Sequence, residues 1–146
     1  MITGNYDQAQ GAFVSAAIYF PSPVDQLLEL SFLVDTGAAL TCLSVTDFIR
    51  LGAAADPVPM RASPVSMRGV GGDTRPWLTT AALLLVHDDG KFTSIALDLP
   101  LMLDQSFVGL PLLLGRDVLC MGESRFQPNG GVVILDLPEG SRTIQG

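Results

Sequence analysis

Ten prolines and fifteen glycines break the apolar, β-branched and leucine-rich runs of this chain into short pieces. Such punctuation favours many short strands joined by turns. Ala12 to Phe20 reads as a strand that Pro21-Ser22-Pro23 ends, and Leu27 to Val34 pairs with it as a hairpin. Trp77 to Val86 and Phe92 to Leu99 form a second hairpin through Asp88-Asp89-Gly90, a strong turn signal. Leu40 to Leu43 is a short strand, Leu110 to Leu114 another apolar run, and Val132 to Leu137 a final strand behind Pro128-Asn129-Gly130-Gly131. Ser44 and Asp47 offer a weak capping box to a short helix that reaches Leu51 and stops at Gly52. Arg116 to about Glu123 fits a helical turn or two. The expectation is one mostly-β domain over residues 1–146 with one or two short helices.

With 146 residues, 48% of them hydrophobic and only 16% charged, the chain can bury a real core and is far from disorder. Its net charge of −7, with Arg50, Arg61, Arg68 and Arg75 scattered and Lys91 the only lysine, argues against nucleic acid and anionic membranes as partners. Cys42 and Cys120 form no CxxC pair and lie in apolar runs, so both are expected to be buried free thiols, weakly favouring a reducing compartment. The N-terminus has neither a basic start nor an apolar core, so it is not read as a signal peptide. No apolar run approaches the roughly 20 residues of a membrane span. The expected setting is the cytoplasm or a soluble part of a membrane-anchored bacterial protein, with membrane contact only in the second case.

The chemistry narrows by exclusion. His87 is the only histidine and abuts a turn, which makes it a poor base for a Ser-His or Cys-His pair and rules out multi-histidine metal centres within one chain. No phosphate-binding Gly-Lys-Ser/Thr loop is present, and no metal or cofactor is expected. Carboxylate chemistry is left. The apolar run Phe32-Leu33-Val34 ends on Asp35, followed by Thr36, Gly37, Ala38 and Ala39. An acid at the end of an apolar strand must be hydrogen-bonded, hydrated or shared, so its proton affinity can be tuned.

Three motifs in this order resemble the retropepsin-like aspartic proteases. The apolar strand into Asp35-Thr36-Gly37-Ala38 matches the catalytic D-T/S-G-A of that family. Gly69-Val70-Gly71-Gly72 is similar to its flap tip, and Leu113-Leu114-Gly115-Arg116-Asp117 to the apolar-apolar-Gly-Arg-Asn/Asp segment before its helix. The motifs span about 80 residues, and the strand pattern extends over nearly the whole chain. The resemblance implies a closed β-barrel-type fold with one lobe per chain and a peptide- or protein-cleaving activity. It implies that Thr36 ties two active-site loops together, that Gly37 brings backbone close to the carboxylates, and that Val70 with its glycines closes over substrate. Arg116 would be structural.

Hydrolysis by this route needs two carboxylates sharing one proton, one as base on a water and one as acid to the carbonyl oxygen. The chain carries one D-T-G; Asp98, Asp104 and Asp136 also end or interrupt apolar runs, but none precedes Thr/Ser-Gly. A dyad therefore requires a homodimer with Asp35 from each copy on the axis. Two departures from the family pattern stand out. Viral members often have an acid where this chain has Ala39, which leaves Arg116 to pair with Asp117 or with an acid across the dimer. The insert Ala53 to Pro64 lengthens the Asp35–Gly69 spacing and suggests a bacterial or cellular branch.

Plainer readings exist beside these. Asp35 can cap an ordinary turn, Gly69 to Gly72 can be a plain hairpin loop, and Arg116-Asp117 can be a structural ion pair. Trp77 and Leu112 to Leu114 are expected in the core. The rivals to an endopeptidase are a retropepsin-like dimerisation or peptide-binding domain without hydrolysis, and a monomeric β-domain with a chance D-T-G.

Overall fold

The computed structural model describes residues 1–22, 24–44, 59–64, 66–69, 72–102 and 111–144. Residues 45–51 of the helix expected behind Ser44, the first half of the 53–64 insert (53–58), the flap tip Val70-Gly71, Asp104 and Leu110 lie outside the described residues.

The fold is mostly β. Strand β1 (Ile2–Asp7) pairs antiparallel with β2 (Gly11–Phe20), and β2 with β3 (Gln26–Val34) along eight residue pairs from Phe13–Leu33 to Phe20–Gln26. Alternation explains this hairpin: Ala12, Val14, Ala16, Ile18 and Phe20 face inward while their neighbours face out. At the turn, Asp25 adopts φ +46° and its carboxylate accepts the Tyr19 hydroxyl, which holds the phenol proton and raises its pKa. Short β4 (Leu43–Ser44) and β5 (Arg61–Ala62) flank the second long hairpin, β8 (Trp77–Val86) with β9 (Phe92–Met102). That hairpin turns through Asp88-Asp89-Gly90, as its sequence predicts, with Gly90 at φ +87°. A separate ribbon pairs β6 (Met67–Gly69) with β7 (Gly72–Thr74). The chain closes with β10 (Leu112–Leu114), the four-residue helix α1 (Arg116–Leu119), β11 (Glu123–Gln127), β12 (Val132–Asp136) and β13 (Gly140–Thr143).

One sheet holds eleven of these strands, in the order β11-β12-β1-β2-β8-β9-β13 with β3, β10, β4 and β5 branching from it. It does not close into a barrel, contrary to the expectation from sequence. The reason lies in β2. One of its edges is taken by β3, and the other is divided between β1 (at Gly11–Phe13) and β8 (at Ala17–Tyr19). The sheet forks there, and its terminal strands β11 and β13 do not pair, whereas a barrel needs one continuous stagger of paired strands.

The core lies between the inward rows of β2, β3, β8, β9 and β12, with Phe20, Phe32, Leu85, Ile95, Leu101 and Leu135 at 1% exposure or less. Each such side chain contributes about 1.5–3 kcal/mol by leaving water. Val118 and Leu119 of α1 join the same cluster.

Several boundaries differ from the sequence reading. The region expected to be helical to about Glu123 is a single helical turn, because β11 begins at Glu123 and pairs with Asp136 of β12. Val132–Asp136 is not the last strand, since β13 follows and pairs parallel with β9. Strand β9 runs past Pro100 to Met102; its second edge has no partner between Ala96 and Leu101 among the described residues, a setting in which a strand tolerates proline. Trp77 is 45% exposed rather than core, because it stands at the first position of β8. Leu112 and Leu114 are buried as expected, with Leu113 half-buried.

Candidate active site

The site is built where two parallel strands end side by side. Phe32, Leu33 and Val34 of β3 pair in register with Leu112, Leu113 and Leu114 of β10. The Asp35 amide carries the ladder one step further and donates to the Leu114 carbonyl at 3.1 Å. Both strands then turn away from the sheet, one through Asp35-Thr36-Gly37 and the other through Gly115 into α1.

The two turns lock together. Four consecutive carbonyls of the Asp35 loop accept donors from Arg116 and Asp117. The Arg116 Nη1 donates to the Thr36 and Gly37 oxygens at 3.0 and 3.1 Å, its amide to Ala38 at 2.9 Å, and the Asp117 amide to Ala39 at 3.2 Å. Gly115 makes the approach feasible: a Cβ on it would stand 2.5 Å from the Leu40 carbonyl carbon. Past the loop, Cys42 and Leu113 exchange backbone hydrogen bonds at 3.1 and 3.4 Å.

Asp35 itself is half-buried, and Thr36 and Gly37 are exposed. Its Oδ1 accepts the Gly37 amide at 2.8 Å, and its main-chain carbonyl accepts the Ala38 amide at 3.2 Å. The turn is therefore held by its own backbone as well as by Arg116. Oδ2 accepts no hydrogen bond among the described residues.

Arg116 and Asp117 are brought to the site, but not as the ion pair expected from their adjacency. The guanidinium is occupied by the Thr36 and Gly37 carbonyls. The Asp117 carboxylate is saturated elsewhere: Oδ1 accepts the Thr41 hydroxyl at 2.8 Å and the Thr41 and Val118 amides at 2.9 Å, and Oδ2 shares the Thr41 amide at 3.0 Å. Thr41, fully buried, in turn accepts the Gly115 amide on its hydroxyl at 3.0 Å. Sequence reasoning passed over Thr41. The available signal was a lone hydroxyl inside the apolar run Leu40-Thr41-Cys42-Leu43, since a buried polar group must find partners.

In the β6–β7 ribbon Gly69 stands opposite Gly72 and Arg68 opposite Asp73 in register, with the motif's Val70 and Gly71 outside the described residues. Met67 at its base packs on a small satellite cluster of Cys42, Met102 and Leu113. That contact connects the ribbon to the segment carrying the Asp35 loop. Cys42 is buried, and burial pushes its thiol up to about 11. Cys120 is exposed rather than buried, because it follows the last turn of α1 on its solvent side.

Other acids are engaged elsewhere. Asp98 pairs with Arg61 at 2.7 Å on the surface, and Asp136 ends β12 exposed. His87, Asp89 and Glu139 gather ligand atoms within 4.8 Å, yet the Lys91 ammonium lies 3.3 Å from Glu139 and 3.8 Å from Asp89. Both ring nitrogens of buried His87 are also committed, Nε2 to the Thr93 hydroxyl at 2.7 Å and Nδ1 to the Met1 amine at 3.2 Å. No helix among the described residues is long and apolar enough to cross a membrane. No family model matches the chain, and no curated protein matches it in sequence.

Proposed function

We propose that this chain is a retropepsin-like aspartic endopeptidase that works as a homodimer, with Asp35 of each copy forming the catalytic dyad. The observation that carries the reading is the lock between the Asp35 loop and Gly115-Arg116-Asp117. Four loop carbonyls are fixed by Arg116 and Asp117, so the carboxylate at the head of the loop is held without being consumed as an ion-pair partner. Catalytic groups must be preorganised in this way to act on a water and a carbonyl.

In the dimer, two Asp35 carboxylates meet across the axis and share one proton, because like charges about 3 Å apart do not both ionise. One withdraws a proton from a water as it attacks the peptide carbonyl, while the other protonates the carbonyl oxygen. The exposed Thr36 and Gly37 face the partner copy, whose equivalent loop completes the site. Substrate is an extended peptide bound by backbone pairing, and the β6–β7 ribbon, through Gly69, Val70, Gly71 and Gly72, closes over it. Leu113, Leu114, Gly115, Arg116 and Asp117 support the loop, and Ala38 flanks the carboxylate. No cofactor takes part.

A peptide-library digest between about pH 4 and 7 tests this reading, since a dyad must retain one proton to work. Wild-type chain is expected to cleave, with inhibition by statine-type transition-state analogues. Asp35→Asn is expected to lose cleavage while still dimerising. Undiminished turnover by that variant refutes the reading, and a dimer with neither cleavage nor inhibitor binding favours a binding domain instead.

A further inference from the structure

Buried Thr41, bonded to the half-buried Asp117 carboxylate, has no part in the chemistry described so far. We infer that Thr41, held by Asp117, is a positioning residue that sets where the Asp35 carboxylate points. This inference rests on the dyad reading, and its geometry is specific. Thr41 ends the loop that Asp35 begins, so the loop has two fixed ends: the Asp35 amide on Leu114 and the Thr41 residue on Asp117. The loop between these ends hangs from Arg116 and Asp117 amides, whose own position depends on the turn at Gly115.

The direction of each bond in this pair is determined. A carboxylate only accepts, so the Thr41 hydroxyl must donate its proton to Asp117. Its oxygen is then free to accept from the Gly115 amide, which it does at 3.0 Å. One buried hydroxyl thus joins the end of the Asp35 loop, the turn before α1, and the first turn of α1. Removing it strands the Gly115 donor in a buried setting and takes a donor from the half-buried Asp117 carboxylate, and the loop must shift to recover partners. The Asp35 carboxylate lies on that loop, and near-ångström misplacement of a reacting group is worth about 100-fold in rate.

Thr41→Val keeps the shape and removes both hydroxyl bonds, while Thr41→Ser keeps both. For Thr41→Val, kcat is expected to fall about 30- to 100-fold with KM within about threefold, because the loss concerns orientation rather than substrate contact. Thr41→Ser is expected to restore kcat to within about threefold, and Asp117→Asn to fall between the two, since its amide places a donor against the Thr41 amide. A second readout needs no turnover. Amide hydrogen exchange in Thr41→Val is expected to quicken at Asp35, Gly37 and Ala38 and stay unchanged at Leu83 and Ile95 in the core. A uniform rise at all five positions, or unchanged exchange at the loop, overturns the inference. So does an unchanged kcat in a Thr41→Val enzyme whose activity depends on Asp35. Activity that survives Asp35→Asn refutes the dyad reading instead, and the exchange result then still decides whether Thr41 positions the loop.

Discussion

Replacing Gly115 with alanine tests the lock between the two turns at its tightest point. The backbone there has φ −94° and ψ −178°, which any residue adopts, so the substitution acts only through space. Its methyl would stand 2.5 Å from the Leu40 carbonyl carbon, 2.6 Å from its oxygen and 2.9 Å from its nitrogen. Backbone cannot swing aside as a side-chain tip can, so the segments must separate. Overpacking of this kind costs about 1–3 kcal/mol. Separation also weakens the bonds from the Gly115, Arg116 and Asp117 amides to Thr41, Ala38 and Ala39, each contributing about 1 kcal/mol. A loss of about 3–5 kcal/mol is expected, a large part of the 5–15 kcal/mol or so that holds a domain. In urea unfolding followed by circular dichroism, with a slope of about 2 kcal/mol per molar, the midpoint falls by roughly 1.5–2.5 M. Gly90→Ala is the control, because Gly90 has open space around it but φ +87°. It is expected to cost about 1–2 kcal/mol from backbone conformation alone. A Gly115→Ala protein as stable as Gly90→Ala, or more so, refutes the close-approach argument.

Three further outcomes follow from the same structure. Phe32→Ala, at a fully buried position two residue pairs from the end of β3, is expected to cost about 3–5 kcal/mol by thermal or urea unfolding. Alkylation of the native protein near pH 8 is expected to label Cys120 and spare Cys42, as mass spectrometry of the digested chain would reveal. Burial raises Cys42 from the ordinary thiol value of 9.0 to about 11, so the unfolded chain gives up that proton first. The stability from keeping the thiol neutral is complete below pH 9 and declines up to about 11, by roughly 2–3 kcal/mol in all. Cys42→Ala is expected to flatten that part of the stability–pH curve.

The long hairpins were legible because one face of each is buried and the sequence alternates accordingly: β2 against β3, and β8 against β9. Strands without a buried row were not. Strand β13 is exposed along its whole length and β11 along nearly all of it, so neither carries a hydrophobic period to read. Strand β1 buries only Ile2 and Gly4 fully, and a glycine adds nothing to an apolar pattern. The fork at β2 is a matter of which strands share an edge, which no local pattern encodes. At the site, the motifs marked the right segments, since Asp35 and Leu113–Asp117 do come together. Their partners were less visible. Charges suggest an ion pair for Arg116, yet two backbone carbonyls in the Asp35 loop satisfy it. Asp117 went to Thr41, a residue whose importance is set by burial, and burial is fixed only once β10 lies beside β3.

Mixing copies tests the homodimeric dyad most directly. Wild-type chain is equilibrated with about a tenfold excess of Asp35→Asn chain, and cleavage is measured per wild-type chain. If each site needs an Asp35 from both copies, nearly every wild-type chain is trapped in an inactive heterodimer and its activity falls about tenfold. Cleavage per wild-type chain that ignores the excess, with exchange between copies verified by sedimentation or mass spectrometry, contradicts the dyad.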